Sequence, residues 1–309
     1  METYTANTVR TRTHGSVTWV DALRPDKTVL QQLEEQYQLH PVHVKESLQK
    51  VQHNEVEREA NYLFLVLHIP VYNAHKHKIC IHQLGIFLGK RFLITIRNGN
   101  IPAVERLSGD MEAHKSAAGL LYALIAGLLN DMFGIADHIE SELDAIEGIV
   151  FDDSRSDAGR IGRVRQKIVT LSRVVGPKRV VLDDLAQQIG SFAGKDITPY
   201  FENNTKTVNR LWEIVDGARE TVEIYKDADF TASTARTNRI LAILTFLFTF
   251  SIPATVIAAL YGMNVGLPGG LDPHEWTFWG PYTTFIIIIA VVTLSAIGMY
   301  AYFKRKKWM

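Results

Sequence analysis

A single cysteine, Cys80, stands among 309 residues, which excludes an internal disulfide and any multi-cysteine metal cluster and suits a domain facing a reducing compartment. An excess of one charge sign is also missing. The 33 basic and 33 acidic side chains cancel, so no global basic field argues for a nucleic-acid partner. The first stretch, METYTANTVRTRTHGS, lacks the apolar core of a signal peptide, so any membrane insertion is expected further along. No Gly-x-x-x-x-Gly-Lys-Ser/Thr segment occurs, and nucleotide hydrolysis has no visible site. No local motif joins a nucleophile, a base and an orienting group, so neither an enzyme nor a resident cofactor is expected.

Charge is absent from two long stretches near the C-terminus. No charged residue lies between Arg239 and Asp272, and Ile240 to Leu260 is apolar over a length that crosses ~30 Å of hydrocarbon as a helix. A second uncharged run lies between Glu275 and Lys304, centred on Tyr282 to Tyr302 and including Phe285-Ile286-Ile287-Ile288-Ile289. Arg236 and Arg239 precede the first run, and Lys304, Arg305, Lys306 and Lys307 follow the second. The connecting segment holds only Asp272 and Glu275. The positive-inside rule therefore places both termini in the cytoplasm and residues 261–281 outside. Tyr261, Trp276, Phe278, Trp279 and Tyr282 at the outer end, and Tyr300, Tyr302, Phe303 and Trp308 at the inner end, read as interfacial aromatic belts.

Upstream, strand and helix patterns alternate. Ser16 to Ala22, Tyr62 to Val71, Lys78 to His82, Leu84 to Leu88 and Arg91 to Arg97 read as strands, the last following the Gly89-Lys90 turn in antiparallel pairing. Thr28 to Gln38 and Val42 to Gln49 read as helices. From about Ser116 long helices take over, one to roughly Phe151 and another from Ala158 to about Gly190, separated by Asp152-Asp153-Ser154-Arg155-Ser156-Asp157 and expected to form an antiparallel hairpin. Proline is absent between Pro199 and Pro253. A helix starting near Tyr200 can thus run unbroken into the first span, about 60 residues and ~90 Å at 1.5 Å per residue. The expected fold is an α/β N-terminal cytoplasmic region (1–110), a long-helix and stalk region (111–239) continuous with the first span, and a two-span hairpin with a basic tail (240–309).

Asn238, Thr245 and Thr249 lie within ~40° of one another on the first span, with Thr255 further round beyond Pro253. Such a sparse polar stripe suits a water-lined path, although threonines also bond back to their own helix. Two helices per chain cannot enclose a pore, so conduction requires several copies around an axis. A membrane-anchored sensor or scaffold is the alternative from another class.

At the outer end of the first span stands Tyr261-Gly262-Met263-Asn264. Gly-Met-Asn after a proline-containing apolar helix resembles the signature of the CorA magnesium-transporter family. Thr237-Asn238, Pro199-Tyr200-Phe201, the ending Tyr302-Phe303-Lys304-Arg305-Lys306-Lys307-Trp308, and upstream His40-Pro41, Glu46, Leu48, Val56-Glu57 and Asn61-Tyr62 extend the resemblance over roughly residues 16 to 309. It implies a funnel-shaped homopentamer in the cell membrane that passes divalent cations, Mg²⁺ above all. Asn238, Leu241, Leu244, Ile252, Thr255, Ala259, Gly262 and Asn264 would then face the pore. Mg²⁺ holds its water shell tightly, so a mouth of amide and carbonyl oxygens from Gly262, Met263 and Asn264, binding the ion through its waters, fits that cargo. A divalent ion gains ~4.6 kcal/mol per 100 mV on moving inward, enough for passive influx.

Two departures stand out. The family's regulatory metal pair, Mg²⁺ included, corresponds here to Glu46 and Asn203, so one carboxylate is retained and one is not, with Lys45 beside the first and Glu202 beside the second. Val265-Gly266-Leu267-Pro268-Gly269-Gly270 replaces an acidic loop and resembles the ZntB-like zinc branch, which keeps Zn²⁺ or Co²⁺ transport, with or without proton coupling, as an alternative. His75, His77 and His82 invite a transition-metal site, although interleaved lysines favour a polar turn. His138 to Glu147 reads as a solvated acidic helix face or a cation-concentrating one.

Overall fold

Alternation along the strands sets the architecture of the N-terminal part. The computed structural model describes residues 8–48, 55–150, 157–263 and 282–306. Strands β1 (Thr8–His14), β2 (Val17–Leu23), β3 (Glu55–Arg58), β4 (Tyr62–Asn73), β5 (Lys78–Gly89) and β6 (Phe92–Arg97) form one sheet in the order β1-β2-β6-β5-β4-β3. All neighbours are antiparallel except β2 and β6, which run parallel. In β4 successive side chains point to opposite faces. Leu63, Leu65, Leu67 and Ile69 join the larger core with the long helices, whereas Tyr62, Phe64 and Val66 join a smaller core on the other face. Both faces of the sheet are therefore covered, and residues 62–67 of β4 and 84–88 of β5 are buried on both.

The smaller core is closed by Leu30 and Leu33 of α1 (Lys27–Tyr37) and Val44 of α2 (Pro41–Glu46). Asp26 caps α1 by accepting from the Val29 amide at 2.9 Å, and Pro41 opens α2 at the position where a missing N–H costs nothing. The α2 helix stops at Glu46, short of the Gln49 that the sequence pattern reaches; residues 49–54 lie outside the described residues.

The larger core is shared between the sheet and α3 (Pro102–Asp110), α4 (Ala117–Val150), α5 (Ala158–Ala193) and the first part of α6 (Thr198–Tyr261). Helices α4 and α5 run antiparallel, and Lys167 of α5 reaches both carboxylate oxygens of Glu142 at 2.7 Å. The acidic run of α4 is thus split: Ile139, Leu143 and Ile146 are buried, and Glu142 is neutralised by a lysine of the neighbouring helix. Helix α4 is long and apolar enough to cross a membrane, with a mean hydropathy of 1.6, yet half of that window is buried inside the protein. Packing on the sheet and α5 accounts for that apolar surface.

A charged network pins the far end of β6. Arg97, 1 % exposed, forms a two-pronged pair with Asp21 at 3.1 and 2.8 Å and also donates to Glu105 at 2.6 Å. Burial alone would lower the Arg97 pKa, but the hydrogen bonds and charge of Asp21 and Glu105 outweigh it and raise it. Burial likewise works against the Glu105 carboxylate, and hydrogen bonds from Arg97 and Arg10 overcome that and hold its pKa below the ordinary value.

The chain divides into two compact units, Met1–Asp229 and Phe230–Met309. The second contains the remainder of α6 and α7 (Thr283–Arg305). Phe246 and Phe250 of α6 meet Phe303 of α7 edge to face, with ring centroids 5.0 and 6.4 Å apart. The most apolar windows of α6 and α7 each have a mean hydropathy of 2.3, and no residue in either window is fully buried within the protein. Those are the properties of helices whose solvent is hydrocarbon.

Candidate functional site

The apolar half of α6 has two distinct sides. Phe246, Thr249, Phe250, Pro253 and Ile257 are half-buried and fall on one stripe, the side on which Phe246 and Phe250 meet α7. Asn238, Leu241, Leu244, Ile252, Thr255 and Ala259 are all exposed. At 3.6 residues per turn that second set is centred roughly 140° from the first. Large apolar side chains dominate it, with Leu241 54 % and Ile252 57 % exposed. Thr245 and Thr255 donate their hydroxyl protons to the carbonyls of Leu241 and Ser251 at 2.8 and 2.9 Å. Their protons are therefore spent within the helix, while oxygen lone pairs remain available as acceptors. Thr249, which the spacing groups with Asn238 and Thr245, sits on the half-buried side instead.

The helix ends at the motif. Gly262 still donates to the Ala258 carbonyl at 2.9 Å, and Met263 turns more tightly to Leu260 at 3.2 Å. A Cβ built on Gly262 would sit 3.1 Å from the Ala258 oxygen, so the backbone turns there in little space. Met263 is 57 % exposed. Asn264 and the segment to residue 281, with Asp272, Glu275 and the glycine-rich stretch, lie outside the described residues, as do Lys307 and Trp308. The contact of Phe246 with Phe303 sets the two helices antiparallel, so Arg236 and Arg239 lie at the same end of the hairpin as Lys304, Arg305 and Lys306. Lys304 stands over the Tyr300 ring at 5.9 Å.

A second constellation is built on the smaller core of the first unit. His43 and Glu46 are three residues apart on α2 and so share a face, and Glu57 comes from the edge strand β3. One ligand atom from each of the three lies within 4.8 Å of the others. The imidazole is held rigidly. His43 is 3 % exposed, lies parallel to Phe64 with centroids 4.5 Å apart, and bonds through Nδ1 to the Tyr62 hydroxyl at 2.9 Å and through Nε2 to Glu57 at 2.9 Å. The Tyr62 oxygen also accepts from the His40 amide at 2.9 Å, and burial raises its pKa despite that bond, which keeps it a neutral phenol. The Glu46 carbonyl accepts from Gln83 Nε2 at 2.6 Å, tying the end of α2 to β5. Close approach there depends on Gly85, since a Cβ on it would meet Ser47 Cβ at 2.6 Å.

The family model described as "CorA-like Mg2+ transporter protein" matches residues 14–305. The chain belongs to this CorA-like family. The "Cobalt/magnesium transport protein CorA" of Thermotoga maritima is 28% identical over 306 residues, covering 96% of this chain and 85% of that protein. The "Zinc transport protein ZntB" of Yersinia pestis is 19% identical over 230 residues, 73% of this chain and 68% of that one. The complete structure of the CorA magnesium transporter from Methanocaldococcus jannaschii superposes with a TM-score of 0.78 at 20% identity, covering 95% of this chain and 92% of that one. The fold is therefore that of full-length CorA-type proteins: an α/β N-terminal part, long helices and C-terminal membrane helices. At the coarse level the chain is a divalent-cation transporter of the CorA family.

The two positions of the expected regulatory pair, Glu46 and Asn203, lie on α2 and α6. Asn203 is exposed on α6 and its carbonyl accepts from Thr207, while Glu46 turns to His43 and Glu57. His75 and His77 occupy the β4–β5 turn, where Asn73 Oδ1 accepts from the Lys76 amide at 3.0 Å, and His82 lies on β5. Among the described residues, the cluster of His43, Glu46 and Glu57 is the group whose ligand atoms converge. The i, i+3 spacing of His43 and Glu46 signals half of it in the sequence. Glu57 is brought in only by the pairing of β3 with β4.

Proposed function

We propose that the protein conducts Mg²⁺ passively into the cell as a homopentamer in the plasma membrane, with both termini cytoplasmic. The observation that carries this reading is the exposed side of α6 away from α7, bearing Asn238, Leu241, Leu244, Ile252, Thr255 and Ala259. Five copies of that side around an axis form a narrow path whose Leu and Ile rings close it by dewetting, while Asn238 and the Thr255 oxygen supply acceptors for the waters of the ion. Gly262 and Met263 carbonyls and the Asn264 amide form the outer mouth. They bind a hydrated ion, because a small, reluctantly dehydrating cation is best held through its own waters. The cationic end of the hairpin lies inside by the positive-inside rule, and the membrane potential supplies ~4.6 kcal/mol per 100 mV for each divalent ion.

A second reading, Zn²⁺ or Co²⁺ transport coupled to protons, is favoured by the zinc-transporting relative and by the glycine-rich stretch after Asn264. Uptake into proteoliposomes decides between them. The proposal expects Mg²⁺ entry that follows an imposed inside-negative voltage without a pH gradient. Zn²⁺ entry that follows the proton gradient, with no Mg²⁺ entry, replaces it with the second reading; no flux of either ion leaves the membrane-anchored sensor.

A further inference from the structure

We propose that His43, Glu46 and Glu57 of a single chain bind one transition-metal ion of the Zn²⁺ or Co²⁺ class. The site uses Glu46 without Asn203 and without a residue from another subunit. It is also separate from the mouth at residues 262–264, so it does not depend on which ion is transported.

Three ligands converge, one imidazole nitrogen and two carboxylate oxygens. Zn²⁺ bonds of ~2.0–2.1 Å arranged tetrahedrally put neighbouring ligand atoms about 3.3 Å apart. The His43 Nε2 to Glu57 Oε2 separation is 2.9 Å, and the rest of the set lies within 4.8 Å, so sub-ångström to roughly 1.5 Å side-chain adjustments close the site. The required movement falls on the carboxylates. Glu57 is 51 % exposed and its carboxylate is held here by the hydrogen bond to His43 that an ion would replace, whereas the imidazole is fixed between Phe64 and Tyr62. Exposure of Glu57 also opens an entry path and leaves room for a water as fourth ligand.

Proton positions are consistent with a ligand role. The His43 proton shared with Glu57 marks the place an ion takes on Nε2. The imidazole then keeps its proton on Nδ1, where the Tyr62 oxygen, already accepting from the His40 amide, has a second lone pair to receive it. An oriented imidazole whose other nitrogen is held by a hydrogen-bonding partner is the arrangement metal-ligating histidines use. Mixed imidazole and carboxylate ligands suit Zn²⁺ and Co²⁺, whereas Mg²⁺ seeks six oxygens in near-octahedral order. Binding ties α2 to β3, two elements that otherwise meet here through the His43–Glu57 hydrogen bond.

The test is Zn²⁺ titration of the full chain in detergent, with Co²⁺ as a visible-absorption probe of ligand type. Wild-type protein is expected to bind one ion per chain at this site in excess of a large concentration of Mg²⁺. Glu57→Gln and Glu46→Gln, which keep size and fold, should each weaken that binding at least tenfold, and His43→Gln should abolish the nitrogen-ligand signature of bound Co²⁺. Asn264→Ala should leave this ion in place, which separates it from any ion at the mouth. Unchanged Zn²⁺ affinity and stoichiometry in Glu57→Gln and Glu46→Gln would overturn the proposal and leave a structural hydrogen bond.

Discussion

Lys178 is buried in the first unit and forms no ion pair with a carboxylate among the described residues, and its removal should stabilise the protein in a pH-dependent way. The residue follows Pro177 within α5, is 2 % exposed, and donates to the His68 carbonyl of β4 and to the Val174 carbonyl at 3.2 Å. Burial lowers its pKa from 10.5 to about 7. The folded state therefore holds this proton less tightly than the unfolded chain. Below pH 7 both states are charged and the burial penalty is constant; between pH 7 and about 10.5 the unfolded chain binds more protons, so stability rises with pH. Integrating from pH 7 to 9 with 1.36 kcal/mol per pH unit, and allowing for half-titration at the start, gives a gain of about 2 kcal/mol from this group. Lys178→Met fills the same volume without the charge. Urea unfolding of the full chain in detergent at pH 7, 8 and 9 should show the variant more stable at pH 7, with the advantage shrinking by about 2 kcal/mol by pH 9. A difference between the two proteins that does not change with pH would refute a lowered lysine pKa. A variant less stable at every pH would show that the two carbonyls held by the ammonium matter more than its desolvation.

Arg97→Met strands Asp21 and is expected to cost about 3–5 kcal/mol in the same unfolding measurement, since breaking a buried ion pair leaves one charge uncompensated. Replacing Asp21 as well, by Asn, should recover part of that loss. Gly85→Ala drives a methyl group into Ser47 and should cost about 1–3 kcal/mol by overpacking, and because Ser47 follows Glu46 it should also weaken Zn²⁺ binding to the His43 cluster. Mass spectrometry of the intact complex in detergent is expected to give five copies; a dimer or monomer would remove the α6-lined path. Leu244→Asn, which places amides where an apolar ring is proposed, should raise resting Mg²⁺ leak in proteoliposomes, and unchanged leak would exclude dewetting at that level.

The elements legible in the sequence are those with long, regular patterns. The apolar runs from Ile240 and from Tyr282, the proline-free stretch after Pro199 and the strands of Tyr62 to Val71 and Arg91 to Arg97 correspond to α6, α7, β4 and β6. Lys78 to His82 and Leu84 to Leu88, which read as continuing in strand, form the single β5, with Gln83 between them in register opposite His68. Three elements had no readable signal. β1 is mostly Thr and Arg and is strand because it pairs with β2; β3 is four residues, three of them charged; and α3 is a short helix that owes its place to Ala103, Val104 and Leu107 packing into the larger core. The same limit applies to the site. Periodicity places Asn238, Leu241 and Thr255 on α6, but the contact of Phe246 and Phe250 with Phe303 is what tells which side is left exposed. The His43 cluster joins residues across a strand pairing, and no local spacing contains that information.

The most direct test of conduction through α6 is voltage-driven Mg²⁺ uptake into proteoliposomes by wild-type protein and Asn264→Ala, with the oligomer of each verified in the same preparation. Wild-type uptake should rise with inside-negative potential, and the variant should lose it while assembling normally. Equal uptake by an equally assembled Asn264→Ala would contradict the mouth at Gly262, Met263 and Asn264, and absence of Mg²⁺ uptake by the wild type at any potential would contradict the account as a whole.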